Sequence, residues 1–76
     1  MWKEENDRLV REFSFDNFSE AFGFMSRVAL LAEQHQHHPT IWNEYNKLKL
    51  ELSTHDAGNK VTDKDHKLAQ AISDLL

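Results

Sequence analysis

The chain has 76 residues, enough for one small domain and too few for a second catalytic lobe, and its lack of cysteine excludes disulfides, thiolate zinc sites and cysteine nucleophiles. Nine Lys plus Arg against thirteen Asp plus Glu give a net charge of -4 without a basic stripe, which argues against direct binding to nucleic acid or an anionic membrane. No apolar run approaches the roughly 18 residues that span a bilayer, and residues 1–8 lack the apolar core of a signal peptide, so we expect a soluble, cytoplasmic protein.

The first half of the chain favours two strands followed by a long helix. Residues 9–15 alternate between apolar and polar side chains, with Arg11 on the apolar parity, which is typical of a half-buried strand. Residues 2–5 favour a shorter strand, with a polar turn at residues 6–7 between the two. Asp16 is a good N-cap, and the apolar spacing over residues 17–36 predicts a helix.

The apolar face of this helix is broader than one contact requires. It covers an arc of roughly 180°, whereas a helix that covers one sheet needs about 100°. We therefore expect the helix to pack on its own sheet and also on another subunit, although a few exposed apolar residues are common in any protein. The residues of the arc are Phe18, Ala21, Phe22, Phe24, Met25, Val28, Ala29, Leu31 and Ala32.

The second half of the chain favours two more strands. Pro39 is expected to end the first helix, because proline disfavours helical geometry in the preceding residue and donates no backbone hydrogen bond. Residues 42–45 predict a strand and Asn46 a turn. Three leucines then alternate with polar residues, a period-2 pattern that predicts a strand with one buried face. These leucines are Leu48, Leu50 and Leu52.

A loop over residues 56–60 leads to the last predicted helix. Thr62 is its expected N-cap, and Asp65 lies three residues later, which is a variant of the capping box. The order strand, strand, helix, strand, strand, helix predicts an α+β domain, in which both helices pack on one face of a four-stranded antiparallel sheet. The expected buried residues of the last helix are Leu68, Ala69, Ile72 and Leu75.

The histidine cluster after the first helix is the strongest candidate for a functional site, since three of the five histidines lie within residues 35–38. Glu33 and His37 are four residues apart and should be neighbours on the helix, so the carboxylate can orient the imidazole. His38, next to Pro39, should leave the helix in extended geometry, so the two consecutive histidines can project in different directions. An unperturbed imidazole titrates near pH 6.5, which suits proton transfer at neutral pH.

Simpler explanations stay open for these residues. Histidines near a helix end are often solvated capping groups. The spacing of His35, His37 and His38 could hold a metal, yet helical ligand pairs normally stand at i and i+4, as in H-E-x-x-H, and that pattern is absent. His66, inside the last helix, is most simply an exposed residue.

A longer set of residues resembles a known family. Glu33-x-x-x-His37-His38-Pro39 is followed by Trp42, Tyr45-Asn46-Lys47, Leu52-Ser53-Thr54-His55 and Asp65, and residues 15–18 and 21–29 extend the pattern upstream. This combination, which covers nearly the whole chain, is similar to the pterin-4a-carbinolamine dehydratase family. The resemblance implies elimination of water from a 4a-hydroxytetrahydropterin, without metal or cofactor, to give the quinonoid dihydropterin. This reaction recycles the pterin after aromatic amino acid hydroxylation.

The resemblance also implies roles for individual residues. His38 and His55 would be the acid and base, and His37 would help to bind the pterin or take part in catalysis. Glu33 and Asp65 would orient or charge the imidazoles. Helix capping alone would also account for Asp65.

Trp42 would form a wall of the pterin pocket by the same resemblance. Packing in the core or at an interface would also account for this residue.

Assembly is a further implication of the resemblance. Members of the family join two four-stranded sheets across an edge and often pair those dimers through the long helix, so we expect a homodimer or homotetramer. Animal relatives also act as dimerisation cofactors of a homeodomain transcription factor, which makes a non-catalytic interaction module the alternative function. Familiar members begin with a further helix that these residues lack.

Overall fold

The computed structural model describes all 76 residues, and its elements follow the predicted order. They are β1 (Lys3–Glu5), β2 (Arg8–Ser14), α1 (Phe18–His35), β3 (Thr40–Glu44), β4 (Lys47–Leu52), a 3₁₀ turn (His55–Ala57) and α2 (Asp63–Ser73). The strands form one antiparallel sheet in the order β1-β2-β4-β3. The predicted α+β fold is confirmed.

The alternation along β4 decides which face of the sheet is buried. Leu48, Leu50 and Leu52 are at most 1% exposed and lie in one core with residues of both helices. The register places them opposite Phe13, Arg11 and Leu9 of β2, so the helices cover this face. The polar residues between the leucines point to the opposite, open face. The helical residues of the core are Phe24, Val28, Leu68, Ala69 and Ile72.

Both hairpins turn through left-handed residues, which set the strand ends. Asn6 and Asp7 have φ values of 51° and 62°, as a two-residue turn with the twist of a hairpin requires, and the predicted turn there is confirmed. Tyr45 has a φ of 52° and forms the second turn with Asn46. The prediction of a strand over residues 42–45 is therefore shifted, because β3 starts at Thr40 and ends at Glu44.

Helix α1 begins and ends differently from the prediction. Asn17, not Asp16, is the N-cap, and its Oδ1 accepts the Glu20 backbone N–H at 2.9 Å. The helix ends at His35 because Gln36 takes the left-handed conformation, with a φ of 50°. Two backbone bonds close this end in a Schellman motif: Gln36 N–H to Glu33 O at 3.2 Å and His37 N–H to Ala32 O at 3.0 Å. Pro39 therefore lies beyond the end of the helix and does not terminate it.

The broad apolar arc of α1 is only partly covered within the chain. Its buried members are Ala21, Phe24, Val28 and Ala32. Phe18 and Phe22 are 47% and 55% exposed, with ring centroids 5.9 Å apart, and Leu30 is 68% exposed. Large apolar side chains therefore remain on the outer face of the helix. Neither helix has the length and apolar character that crossing a membrane demands.

Candidate active site

The Schellman motif at the end of α1 directs His37 into the protein. His37 is only 9% exposed, and its Nε2 lies 2.5 Å from Oδ1 of Asp65. Asp65 stands in the first turn of α2, so this contact joins the segment after α1 to the start of the second helix. Nδ1 of His37 makes no hydrogen bond within the chain, and the ring lines the cleft described below.

Asp65 is fully buried, and every contact of its carboxylate comes from a hydrogen-bond donor. Oδ2 accepts the Thr62 backbone N–H at 2.8 Å, which confirms the predicted capping role, and the Thr54 hydroxyl at 2.8 Å. Burial raises the pKa of Asp65, but the hydrogen bonds from His37, the Thr62 N–H and the Thr54 hydroxyl outweigh it and hold the pKa below its ordinary value of 3.8. Asp65 is therefore ionised at neutral pH. A carboxylate only accepts, so the hydrogen between the two side chains is on Nε2 of His37.

Glu33 pairs with His38 and not with His37, which corrects the sequence-based prediction. Glu33 Oε2 lies 2.5 Å from His38 Nε2. The prediction assumed that the helix continues to His37, whereas the left-handed Gln36 turns the chain so that the fifth residue after Glu33 comes back to it. Both side chains are largely exposed, 69% for Glu33 and 62% for His38. The pair therefore lies at the surface, where it can orient His38 towards solvent or a ligand.

His55 approaches this region from the loop after β4. It opens the 3₁₀ turn, which Gly58 ends in a left-handed conformation with a φ of 79°, and its Nδ1 lies 3.4 Å from Asn59 Oδ1. All three histidines of the predicted site line one cleft with a volume of about 310 Å³. Its lining contains no apolar side chain, and the other five residues are Gln36, Ser53, Thr54, Asp56 and Lys64.

Trp42 does not reach the histidine cleft, which corrects its predicted position as a wall of that pocket. In the register of β3 and β4, Trp42 is opposite Lys49, and residues opposite each other share a face. Lys49 alternates with the buried leucines, so Trp42 lies on the open face of the sheet, where it is 50% exposed. There it lines a separate cleft of about 560 Å³. The sequence position of Trp42, three residues after Pro39, did not show on which face of the sheet its side chain lies.

Sequence reasoning missed Thr54 and Lys64 as site residues. Thr54 was part of the recognised Ser53-Thr54-His55 motif, but nothing in that motif shows that its hydroxyl reaches Asp65. Lys64 stands next to Asp65 in the first turn of α2 and makes no ion pair with any residue of the chain. Its position next to Asp65 in the sequence was the available signal, because a residue beside a site carboxylate at the start of a helix can line the same cleft.

The arrangement is suited to proton transfer in a polar environment. Three imidazoles from two segments surround one cleft, and two of them are each bonded to a carboxylate that fixes the ring. Such groups can donate a proton to one atom of a ligand and accept one from another. No three His, Asp or Glu side chains are grouped so that they could hold a metal ion. Fold and site together define a small α+β protein with a histidine cleft equipped for acid–base chemistry.

Comparison with known proteins narrows this class to one family. The model of the family described as pterin 4 alpha carbinolamine dehydratase matches residues 1–75. A protein of Prochlorococcus marinus (strain NATL2A), provisionally named pterin-4-alpha-carbinolamine dehydratase, is 53% identical over 75 residues, which are 99% of this chain and 78% of the relative. A protein of Synechococcus sp. (strain WH7803) with the same provisional name is 53% identical over 97% of this chain and 78% of its own length. The chain belongs to the pterin-4a-carbinolamine dehydratase family.

Solved structures support the same fold. A crystal structure from Brucella melitensis, described as a transcriptional coactivator/pterin dehydratase, is 40% identical and superposes with a TM-score of 0.87 over 95% of this chain and 78% of that one. A pterin dehydratase-like protein described as a RuBisCO assembly factor of the alpha-carboxysome superposes with a TM-score of 0.82 at 19% identity, over 97% of this chain and 87% of its own. The second likeness concerns the fold alone.

Proposed function

We propose that this protein catalyses the dehydration of a 4a-hydroxytetrahydropterin to the quinonoid dihydropterin, as a step of pterin recycling in the cytoplasm. In this reaction the bond between carbon 4a and its hydroxyl oxygen breaks, and the adjacent ring nitrogen loses its proton. The oxygen leaves as water once it has been protonated, so one acid and one base complete the reaction. The reaction consumes no oxidant or reductant.

The observation that carries the proposal is the convergence of three histidines on one polar cleft. His38 and His55 are exposed at this cleft and are proposed as the acid and the base. His37 is held by Asp65 with Nε2–H fixed, so its Nδ1 is proposed to contact the pterin. Glu33 orients His38 through the 2.5 Å contact. General acid–base catalysis of this kind is typically worth about 10² to 10⁴ in rate.

The decisive experiment measures the decay of freshly generated 4a-hydroxytetrahydropterin with and without the protein. We expect wild-type protein to accelerate the decay, and His38→Ala and His55→Ala each to lower the acceleration by about 10²-fold while the proteins stay folded. His66→Ala is the matched control, because His66 is an exposed histidine on α2 that does not line the cleft. We expect a chelator to leave the rate unchanged. Wild-type protein with no acceleration over buffer would rule out the enzyme.

The exposed apolar face of α1 favours assembly as a second property. Phe18, Phe22 and Leu30 remain exposed within the chain, and the sheet ends in the edge strands β1 and β3. We propose that the protein forms a homodimer or homotetramer through a sheet edge and α1. A non-catalytic interaction module, consistent with the coactivator description of the Brucella melitensis protein, is the alternative function. Stable assembly without any dehydratase activity would favour that alternative.

A further inference from the structure

We propose that Thr54 is a positioning residue that fixes the orientation of His37 through Asp65. The proposal rests on the proposed function in so far as His37 serves catalysis, but the hydrogen-bond geometry can be tested without any activity. Thr54 is 6% exposed, and its hydroxyl is turned towards the interior of the site.

A continuous row of hydrogen bonds links Thr54 to His37. Thr54 Oγ1 lies 2.8 Å from Asp65 Oδ2, and Asp65 Oδ1 lies 2.5 Å from His37 Nε2. At the other end, Thr54 Oγ1 lies 2.6 Å from Thr62 Oγ1. Four side chains from three segments of the chain thus form a polar row behind the cleft, in which His37, Thr54 and Asp65 are buried. Such rows hold their members firmly when each group is satisfied.

The chemistry of the groups fixes the direction of every hydrogen bond in this row. The Asp65 carboxylate can only accept, and it also accepts the Thr62 backbone N–H. Thr54 must therefore donate its single hydroxyl hydrogen to Asp65. Because that hydrogen is committed, the Thr62 hydroxyl donates to Thr54. At the far end, His37 must carry its hydrogen on Nε2.

The main chain of Thr54 supports the segment that carries His55. Its N–H donates to Lys60 O at 2.8 Å, and its C=O accepts the Asn59 N–H at 3.0 Å and the Ala57 N–H at 3.2 Å. These bonds close the turn that begins at His55. The same residue thus connects the two histidine-bearing segments, by its side chain to His37 and by its backbone to His55. A change confined to the hydroxyl should affect His37 and leave the turn in place.

Thr54→Val removes the hydroxyl and keeps the branched shape and the backbone bonds. It leaves Asp65 Oδ2 with the Thr62 N–H alone and the Thr62 hydroxyl without its acceptor. Thr54→Ser restores the hydroxyl. Thr40→Val is the matched control, because Thr40 is an exposed residue of β3 outside the histidine cleft.

Nitrogen-15 NMR of the histidine rings tests the proposal directly. We expect all four proteins to hold the neutral His37 as the Nε2–H tautomer, because the Asp65 carboxylate accepts in each of them. In Thr54→Val we expect the Nε2 hydrogen of His37 to exchange with solvent faster than in wild type, Thr54→Ser and Thr40→Val, because Asp65 Oδ2 keeps only the Thr62 N–H and is held less firmly. For the dehydratase reaction we expect Thr54→Val to lower kcat about tenfold with little change in KM, and Thr54→Ser to restore it to within about threefold. Exchange of the His37 Nε2 hydrogen in Thr54→Val that is as slow as in wild type would overturn the proposal, even if kcat fell.

Two further outcomes keep the proposal open to refutation. If Thr54→Val does not fold, the wild-type spectrum still decides, since a His37 hydrogen on Nδ1 contradicts the deduced row. If wild-type protein has no dehydratase activity, the proposed function fails, whereas the positioning role stands or falls with the comparison of hydrogen exchange at His37 Nε2.

Discussion

Asp65 and His37 are in contact at 2.5 Å although 28 residues separate them along the chain. His37 lies in the segment between α1 and β3, and the contact joins this segment to the first turn of α2. It places an ionised carboxylate behind an imidazole that lines the cleft. A buried carboxylate in this position serves stability and site geometry at the same time. The two roles can be separated by their dependence on pH.

The stability of the protein should depend on the ionisation of Asp65. Because the pKa of Asp65 in the folded protein lies below its ordinary value of 3.8, the ionised form stabilises the fold above pH 3.8, and this contribution is lost as the pH falls through the folded pKa. We expect Asp65→Asn to lower the free energy of unfolding by about 2 kcal/mol at pH 7. The difference from wild type should shrink at pH 3, as measured by urea denaturation at both pH values.

Asp63→Asn is the control for this prediction. Asp63 lies in the same first turn of α2 but is exposed and makes no side-chain hydrogen bond. Its substitution should change the free energy of unfolding by less than about 0.5 kcal/mol. A constant difference between Asp65→Asn and wild type from pH 7 to pH 3 would contradict the role of ionisation.

The Glu33–His38 pair should matter for activity and hardly for stability. Both side chains are largely exposed, and ion pairs of this kind are worth about 0–1 kcal/mol. We expect Glu33→Gln to leave the free energy of unfolding nearly unchanged while kcat falls several-fold, because His38 loses the group that orients it. Glu44→Gln, an exposed carboxylate of β3, is the control. A loss above about 2 kcal/mol would show that the pair is structural.

The pairing of the histidines shows where sequence reasoning reaches its limit. The i,i+4 rule connected Glu33 with His37, but the rule holds only while the helix continues. A left-handed residue at Gln36 stops the helix, and glutamine gives no sign of this conformation, which glycine or asparagine usually adopts. The Asp65 contact could not be predicted from geometry either, since it depends on how α2 packs beside α1. The capping pattern and the family resemblance both marked Asp65 in advance.

The sheet was predictable because its pattern is local. Leu48, Leu50 and Leu52 alternate with polar residues, and one buried face follows directly from a period of two. The β3 strand lacks such a pattern, since all its residues but one are exposed. The face of Trp42 therefore depends on the register with β4, which no local signal specifies.

The position of Trp42 leads to a prediction about activity. Because Trp42 lies on the open face of the sheet and outside the histidine cleft, we expect Trp42→Ala to leave kcat and KM for the pterin within about twofold of wild type. His55→Ala, measured in parallel, shows the loss that a cleft residue causes. A large rise in KM for Trp42→Ala would mean that the indole reaches a substrate site after all, from this subunit or from a partner.

The outer face of α1 should determine the size of the assembled protein. Phe22 is 55% exposed beside Phe18, and a buried aromatic side chain commonly anchors a subunit interface. A carboxylate placed there would have to be desolvated on assembly, so we expect Phe22→Glu to reduce the mass measured by light scattering at micromolar concentration. Gln34→Glu introduces the same charge at an exposed position of the helix and should leave the mass unchanged. Since both positions are exposed, circular dichroism should show both variants folded. A wild-type protein that is already a stable monomer would contradict assembly through this face.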